Sequence, residues 1–230
     1  MASLVFLFDV DNTLLDNDGV IADLKQHLEQ QVGPERQQRY WQIFEQLRSE
    51  LGYADYLGAL QRYRVENPRD LGLLAVSRFL IDYPFAAQLY PDSLNAVAHV
   101  RQWGKTAVLS DGDVVFQPLK VERSGIWESV DGVMIYIHKE QQLQDVEQLF
   151  PADHYVLIDD KIRILSDVKK IWGARVTTVF PRQGHYALDQ KLVSSYPPAD
   201  ITIERIGELL NYKLPDFLSP AIPNSRAEAR

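Results

Sequence analysis

Five consecutive apolar residues, Leu4–Phe8, run directly into two carboxylates one residue apart, Asp9 and Asp11. An unbroken apolar run of this length suits a strand covered on both faces, as in a parallel sheet between layers of helices. Ligands bind such sheets at the carboxyl ends of the strands, so both acids stand at the edge where chemistry is expected. Two like charges there disfavour each other's ionisation unless a cation lies between them. The pair therefore asks for a metal or a proton. Read alone, Asp9 to Asn12 is equally an ordinary polar turn, because Asp and Asn are common turn residues.

The rest of the chain shows what that strand belongs to. From about Val20 to Asp82 the pattern is helical: Ile21, Leu24 and Leu28 recur at helical spacing, Gly33-Pro34 breaks the run, and Tyr40, Ile43, Phe44 and Leu47 resume it. Two more apolar sets follow, near Tyr56–Tyr63 and Leu71–Leu80, with no strand signal between them. Strand and helix alternate from Pro91 onward. Strands are expected at Thr106–Leu109, stopping at Ser110-Asp111; at Val133–Ile137, ending at His138-Lys139; and at Tyr155–Ile158, ending at Asp159-Asp160. Val176–Phe180 and Ile201–Ile203 supply two more. Repeated strand-to-helix units predict a doubly wound, Rossmann-like parallel α/β sheet. Its catalytic core spans 1–16 and 84–212, with a helical insert at 17–83. The proline-containing tail, 213–230, is expected to be irregular.

Composition narrows the partners. A net charge of −8 argues against the broad basic surface that nucleic acid requires. The absence of cysteine removes disulfides, thiolate metal sites and thiol nucleophiles. The apolar start has no basic region before it and is cut by Asp9, so it does not read as a secretory signal, and no stretch has the length of a membrane span. The expectation is a cytoplasmic enzyme with no nucleic-acid or membrane partner. Oligomeric state is not legible.

Placing the strand ends along one edge brings together Asp9, Asp11, Ser110, Lys139, Asp159 and Asp160. Four carboxylates, a hydroxyl and an ammonium suit a hard cation and a phosphate, and Mg2+ favours such oxygen ligands, with water and substrate phosphate completing its octahedron. The lack of thiols and the scarcity of imidazoles at this edge disfavour zinc. Singly, Ser110 is a loop serine, Lys139 a solvated helix-start residue and Asp159-Asp160 an acid pair at a helix N-terminus. Their joint placement carries the reading. His138 and His154 read as surface residues, and Trp41 and Phe44 as the insert's own core. Lys25, Arg36, Arg39, Arg62, Arg64, Tyr53 and Tyr56 are assigned no substrate role. Arg182 and His185 fall in a loop on the active edge.

Asp9-Val10-Asp11-Asn12-Thr13, then Ser110, Lys139 and Asp159-Asp160, in that order and each after a strand, resemble the four motifs of the haloacid dehalogenase-like phosphohydrolase superfamily, over about Ser3 to Phe180. The helical insert resembles that family's cap, which in relatives closes over the active site. The resemblance implies that Asp9 is the nucleophile and Asp11 the general acid and base. Asp9, the Asp11 carbonyl and Asp159 would hold Mg2+, with Asp160 a further ligand or an acceptor beside it. Lys139 would neutralise the nucleophile and the phosphoryl oxygens, and Ser110 would donate to one of those oxygens. Asp111, beside Ser110, falls with it in the substrate-contacting motif, although relatives often carry Asn there. Two further departures are Glu140, where relatives often have Pro, and Arg163, where many have an acid. Asp11 favours phosphate esters, since halide leaves carbon without needing a proton. The expected activity is Mg-dependent removal of phosphate from a small phosphorylated metabolite. The alternatives are a phosphomutase, a 2-haloacid dehalogenase, or a non-catalytic binding or regulatory protein.

Overall fold

All five residues of β1 (Leu4–Phe8) are buried, and the strand is flanked on one side by β2 (Lys105–Asp111) and on the other by β4 (His154–Ile158). In the computed structural model, which describes residues 3–218, β3 (Gly132–Tyr136), β5 (Val176–Pro181) and β6 (Ile201–Ile203) complete a parallel sheet of order β3-β2-β1-β4-β5-β6. Strand order reverses about β1, which makes its carboxyl end the crevice where such sheets bind ligands.

The period of two along β1 sorts its side chains between two cores. Leu4, Phe6 and Phe8 face one apolar cluster, while Val5 and Leu7 face the other. Helices α1 (Asn17–Val32), α2 (Pro34–Leu51), α3 (Tyr56–Glu66) and α4 (Gly72–Asp82) form the insert. They are followed by α5 (Ser93–Arg101), α6 (Phe116–Arg123), α7 (Ile126–Ser129), α8 (Leu143–Leu149) and α9 (Ile162–Trp172). The short helices α10 (Gly184–Leu188), α11 (Gln190–Val193) and α12 (Leu214–Leu218) complete the set. Helices α8, α9 and α10 cover the Val5 face. The apolar stripes of α1 to α4 do not close on themselves: Leu24, Tyr40, Tyr63 and Val76 belong to the same cluster as Phe6 and Phe8. Gly52 ends α2 with φ 81°, a left-handed cap that lets its N–H reach the Arg48 carbonyl. No helix among the described residues is long and apolar enough to cross a membrane.

Two expectations are corrected. β2 runs two residues past Leu109, because Ser110 and Asp111 pair in register with Ile135 and Tyr136 of β3. Both side chains are therefore set by sheet geometry rather than by a loop. The tail is not irregular from residue 213: residues 214–218 form α12, whereas 219–230 lie outside the described residues. Its anchor is Phe217, fully buried and edge-on to Phe6 at 5.3 Å between ring centres, with its carbonyl accepting from the Thr177 hydroxyl at 2.7 Å. Pro215 sits in the first turn, where its missing N–H breaks no helical bond. Phe217→Ala is expected to cost about 3–5 kcal/mol, lowering the melting temperature by roughly 10 °C in a calorimetric scan. An unchanged melting temperature would show that α12 adds nothing to the core.

Candidate active site

Past Phe8 the chain leaves the sheet in a turn that is bonded at every corner. The Asp9 N–H donates to the Ile158 carbonyl at 2.9 Å, and the Val10 carbonyl accepts from Leu14 and Leu15 at 3.0 Å. Asn12 takes a left-handed conformation, φ 60°, which Asn tolerates, and its side-chain amide exchanges hydrogen bonds with Asp18. Gly184 packs against this turn. A Cβ there would fall 2.4 Å from that of Asn12, and φ is 70°, so only glycine fits. The Thr13 hydroxyl accepts from the Asp160 N–H at 3.0 Å, tying the first acidic turn to the one after β4.

These turns bring Asp9, Asp159 and Asp160, all buried, close enough that one oxygen of each lies within 4.8 Å of the others. Lys139, fully buried, donates to Asp9 Oδ1 at 2.5 Å and to the Leu109 carbonyl at 3.2 Å, and lies 2.6 Å from Asp159 Oδ2. Burial pulls the Lys139 pKa down, but the charges of Asp159 and Asp9 outweigh it and hold the ammonium protonated. Burial, with the Asp9 charge adding to it, pushes Asp159 up to about 6, and burial raises Asp160 well above the carboxylate range. Asp9 Oδ2 and both Asp160 oxygens have no hydrogen-bond donor. Buried carboxylate oxygens without donors are costly. A hard divalent cation held by these three acids removes that cost, and the all-oxygen donor set matches its preference.

Ser110 places its hydroxyl 3.4 Å from Asp9 Oδ1, where it accepts from Gln117 Nε2 at 3.0 Å. Asp111 does more than border the cavity: its Oδ1 accepts from the Lys139 backbone N–H at 2.8 Å, fixing the main chain that carries the buried ammonium. Asp11 is not one of the three acids that meet, and it borders the cavity instead. Its Oδ1 accepts at 2.6 Å from Lys120, whose ammonium is fully buried and also donates to Asn17 Oδ1 at 2.9 Å. Glu140 and Arg163, both departures from the family pattern, pair with each other at 2.9 Å.

A cavity of about 480 Å3 lies between sheet and insert; Asp11, Asn12 and Lys161, the chain neighbours of the three buried acids, line it, while Asp9, Asp159 and Asp160 themselves do not. Asp11, Asp111, Lys161 and His185 wall the core side, and Lys25, Trp41, Phe44, Arg48, Tyr53 and Tyr56 the insert side. Trp41 and Phe44 thus serve both as core of the insert and as cavity wall. His185 borders the cavity with Nδ1 2.6 Å from Asp18 Oδ1, whereas Arg182 points elsewhere, to Glu204 at 3.1 Å. Arg36, Arg39 and Arg62 pair with Asp70, Glu66 and Glu50 away from it. His154 bonds Thr177 at 2.9 Å. Sequence reasoning missed Lys120, Lys161, Gln117, Asn17, Arg48 and Tyr186. For Lys120 a signal exists: it stands four residues after Phe116, on the apolar stripe of α6, where an unpaired ammonium would not be tolerated.

The sequence matches the family of haloacid dehalogenase-like hydrolases over residues 4–169. Among solved structures, the chain is similar to a protein of Burkholderia xenovorans LB400 assigned to that family. The two are 61% identical over 94% of this chain and 99% of the other, with a TM-score of 0.89. The L-2-haloacid dehalogenase of Xanthobacter autotrophicus is 19% identical over 92% of this chain and 98% of its own, TM-score 0.59. The HAD hydrolase YfnB of Bacillus subtilis, solved bound to magnesium, is 18% identical over 92% and 100%, TM-score 0.63. At such identities these two show a shared fold. No curated protein matches the sequence.

Proposed function

The chain belongs to the haloacid dehalogenase-like hydrolases, and within them we propose that it is a magnesium-dependent phosphatase acting on a small phosphate monoester. The observation that supports phosphate over halide is Asp11, held at the cavity wall by the buried Lys120, which Asn17 in turn holds by accepting its second bond. A departing alkoxide needs a proton, and a departing halide does not.

In the proposed reaction a carboxylate oxygen of Asp9 forms a bond to phosphorus as the ester P–O bond breaks, and Asp11 gives its proton to the leaving oxygen. The aspartyl phosphate is then opened by water. Asp11 takes a proton from that water, the acyl phosphate bond breaks, and Asp9 returns to a carboxylate as phosphate departs. Lys139 keeps the Asp9 carboxylate oriented through its 2.5 Å bond, and the Ser110 hydroxyl stands where it can donate to a phosphoryl oxygen. Asp9, Asp159 and Asp160 would hold the magnesium ion, which when bound would supply charge that polarises the phosphoryl group. Trp41, Phe44 and Tyr56 give the insert side of the cavity an aromatic wall against which an organic leaving group can pack.

The test pairs two substrates. With Mg2+ the purified protein is expected to release phosphate from an aryl phosphate and no chloride from 2-chloropropionate, and Asp11→Asn is expected to slow phosphate release by about 10²–10⁴. Chloride release without metal, indifferent to Asp11→Asn, would replace this reading with dehalogenation. Transfer of the phosphate to a second hydroxyl of a sugar phosphate would replace it with a mutase.

A further inference from the structure

Three lysines surround the acid cluster, and two are fully engaged. Lys139 is bonded to Asp9 and the Leu109 carbonyl and lies against Asp159, while Lys120 is bonded to Asp11 and Asn17. Lys161 differs. Its backbone N–H donates to Asp159 Oδ1 at 2.8 Å, which anchors the residue at the mouth of the cluster in extended backbone just before α9. Its half-buried side chain borders the cavity, with Nζ 5.6 Å from the centre of the Tyr186 ring. Among the described residues, its ammonium has no carboxylate oxygen within salt-bridge distance and no hydrogen-bond acceptor. Other acids bordering the cavity are engaged: Asp18 by His185, Asp111 by the Lys139 N–H, and Asp113 by the N–H groups of Val115 and Phe116.

An ammonium with open donors, bordering the cavity on a residue whose backbone is bonded to the acid cluster, is a site for an anion. Resting on the phosphatase reading, we infer that Lys161 is a substrate-binding residue that donates to an oxygen of the phosphate group, both in the monoester and in the product. The charge of Lys139 is shared between Asp9 and Asp159, so a phosphate dianion arriving beside Asp9 needs a second cation from the chain. Lys161 supplies it from the cavity side.

The test uses Lys161→Met and Lys161→Arg in the Mg-loaded protein, with binding of inorganic phosphate followed by calorimetry beside KM and kcat for an aryl phosphate. Lys161→Met is expected to weaken phosphate binding by about 10- to 100-fold, the size of one charge-assisted hydrogen bond. Lys161→Arg is expected to retain most of the affinity. Magnesium affinity, measured on the same samples, is expected to hold or tighten, because a like charge has left the vicinity of the metal. Wild-type phosphate affinity in Lys161→Met overturns the inference. So does a loss of phosphate binding that only accompanies loss of magnesium or of the folded state, which would make Lys161 a support for the acid cluster. Ester hydrolysis by the wild-type protein separates the two claims: if it proceeds and Lys161→Met is unaffected, the inference alone fails; if it is absent, the phosphatase reading fails and takes the inference with it.

Discussion

Asp9→Asn is expected to abolish phosphate release, with kcat for an aryl phosphate falling by about 10⁴ or more, the scale seen when a covalent nucleophile is removed. The substitution keeps the shape and takes away the negative oxygen that must bond to phosphorus. The turn is held by the Asp9 backbone N–H to the Ile158 carbonyl and by the bonds of Asn12 and Thr13, none of which uses the Asp9 side chain. Lys139 keeps Asp159 as an ion-pair partner at 2.6 Å, so its buried ammonium is not stranded. The melting temperature is therefore expected to move by only a few degrees while turnover disappears. Measurable turnover by Asp9→Asn, in protein shown by mass to carry no residual Asp, would remove Asp9 from the nucleophilic role.

How much of this was legible in the sequence depends on the range of the interaction that encodes each part. β1 is legible because its signal is local: five apolar residues followed by acids can be read without knowing the neighbours. The insert is legible for the same reason, each helix carrying its own 3.6-residue stripe. Ser110 and Asp111 read as loop residues because a polar pair after an apolar run looks like a strand end; only pairing with Ile135 and Tyr136 keeps them in the sheet. Phe217 is a single large apolar residue among prolines, and its place depends on Phe6, more than two hundred positions away. Lys120 and Lys161 escape for a related reason. Lysine is a surface residue in most contexts, and what makes these two exceptional is the carboxylates that three distant turns bring near them. The cavity wall at Trp41 and Phe44 hides behind amphipathicity, since an apolar stripe does not reveal whether part of it faces a space rather than a side chain.

Stripping divalent metal is the second large effect, and it is expected in two observables of opposite sensitivity. Treatment with a chelator is expected to lower phosphatase activity by about 10³ or more, with recovery on adding Mg2+, because the charge that polarises the phosphoryl group goes with the metal. Stability records the same loss through proton linkage. In the metal-free protein Asp159 titrates at about 6, above its ordinary value of 3.8, and Asp160 is raised as well. A carboxyl group raised on folding contributes stability that is fully present below the unfolded value and is lost as pH rises through the folded one. The metal-free protein should therefore lose stability as pH rises from about 4 through about 6, where Asp159 is forced toward its charged form; Asp160, raised as well, adds a loss of the same sign. Magnesium binds those charged forms, so its benefit has the opposite slope. Near pH 5 protons compete for the same oxygens and the gain in melting temperature is small. Near pH 7.5, with Mg2+ at about a hundred times its dissociation constant, the gain is expected to reach about 5 to 10 °C. A gain of equal size at both pH values would mean that the ion binds somewhere other than Asp9, Asp159 and Asp160, and full activity in the chelator would rule out a metal role in the reaction.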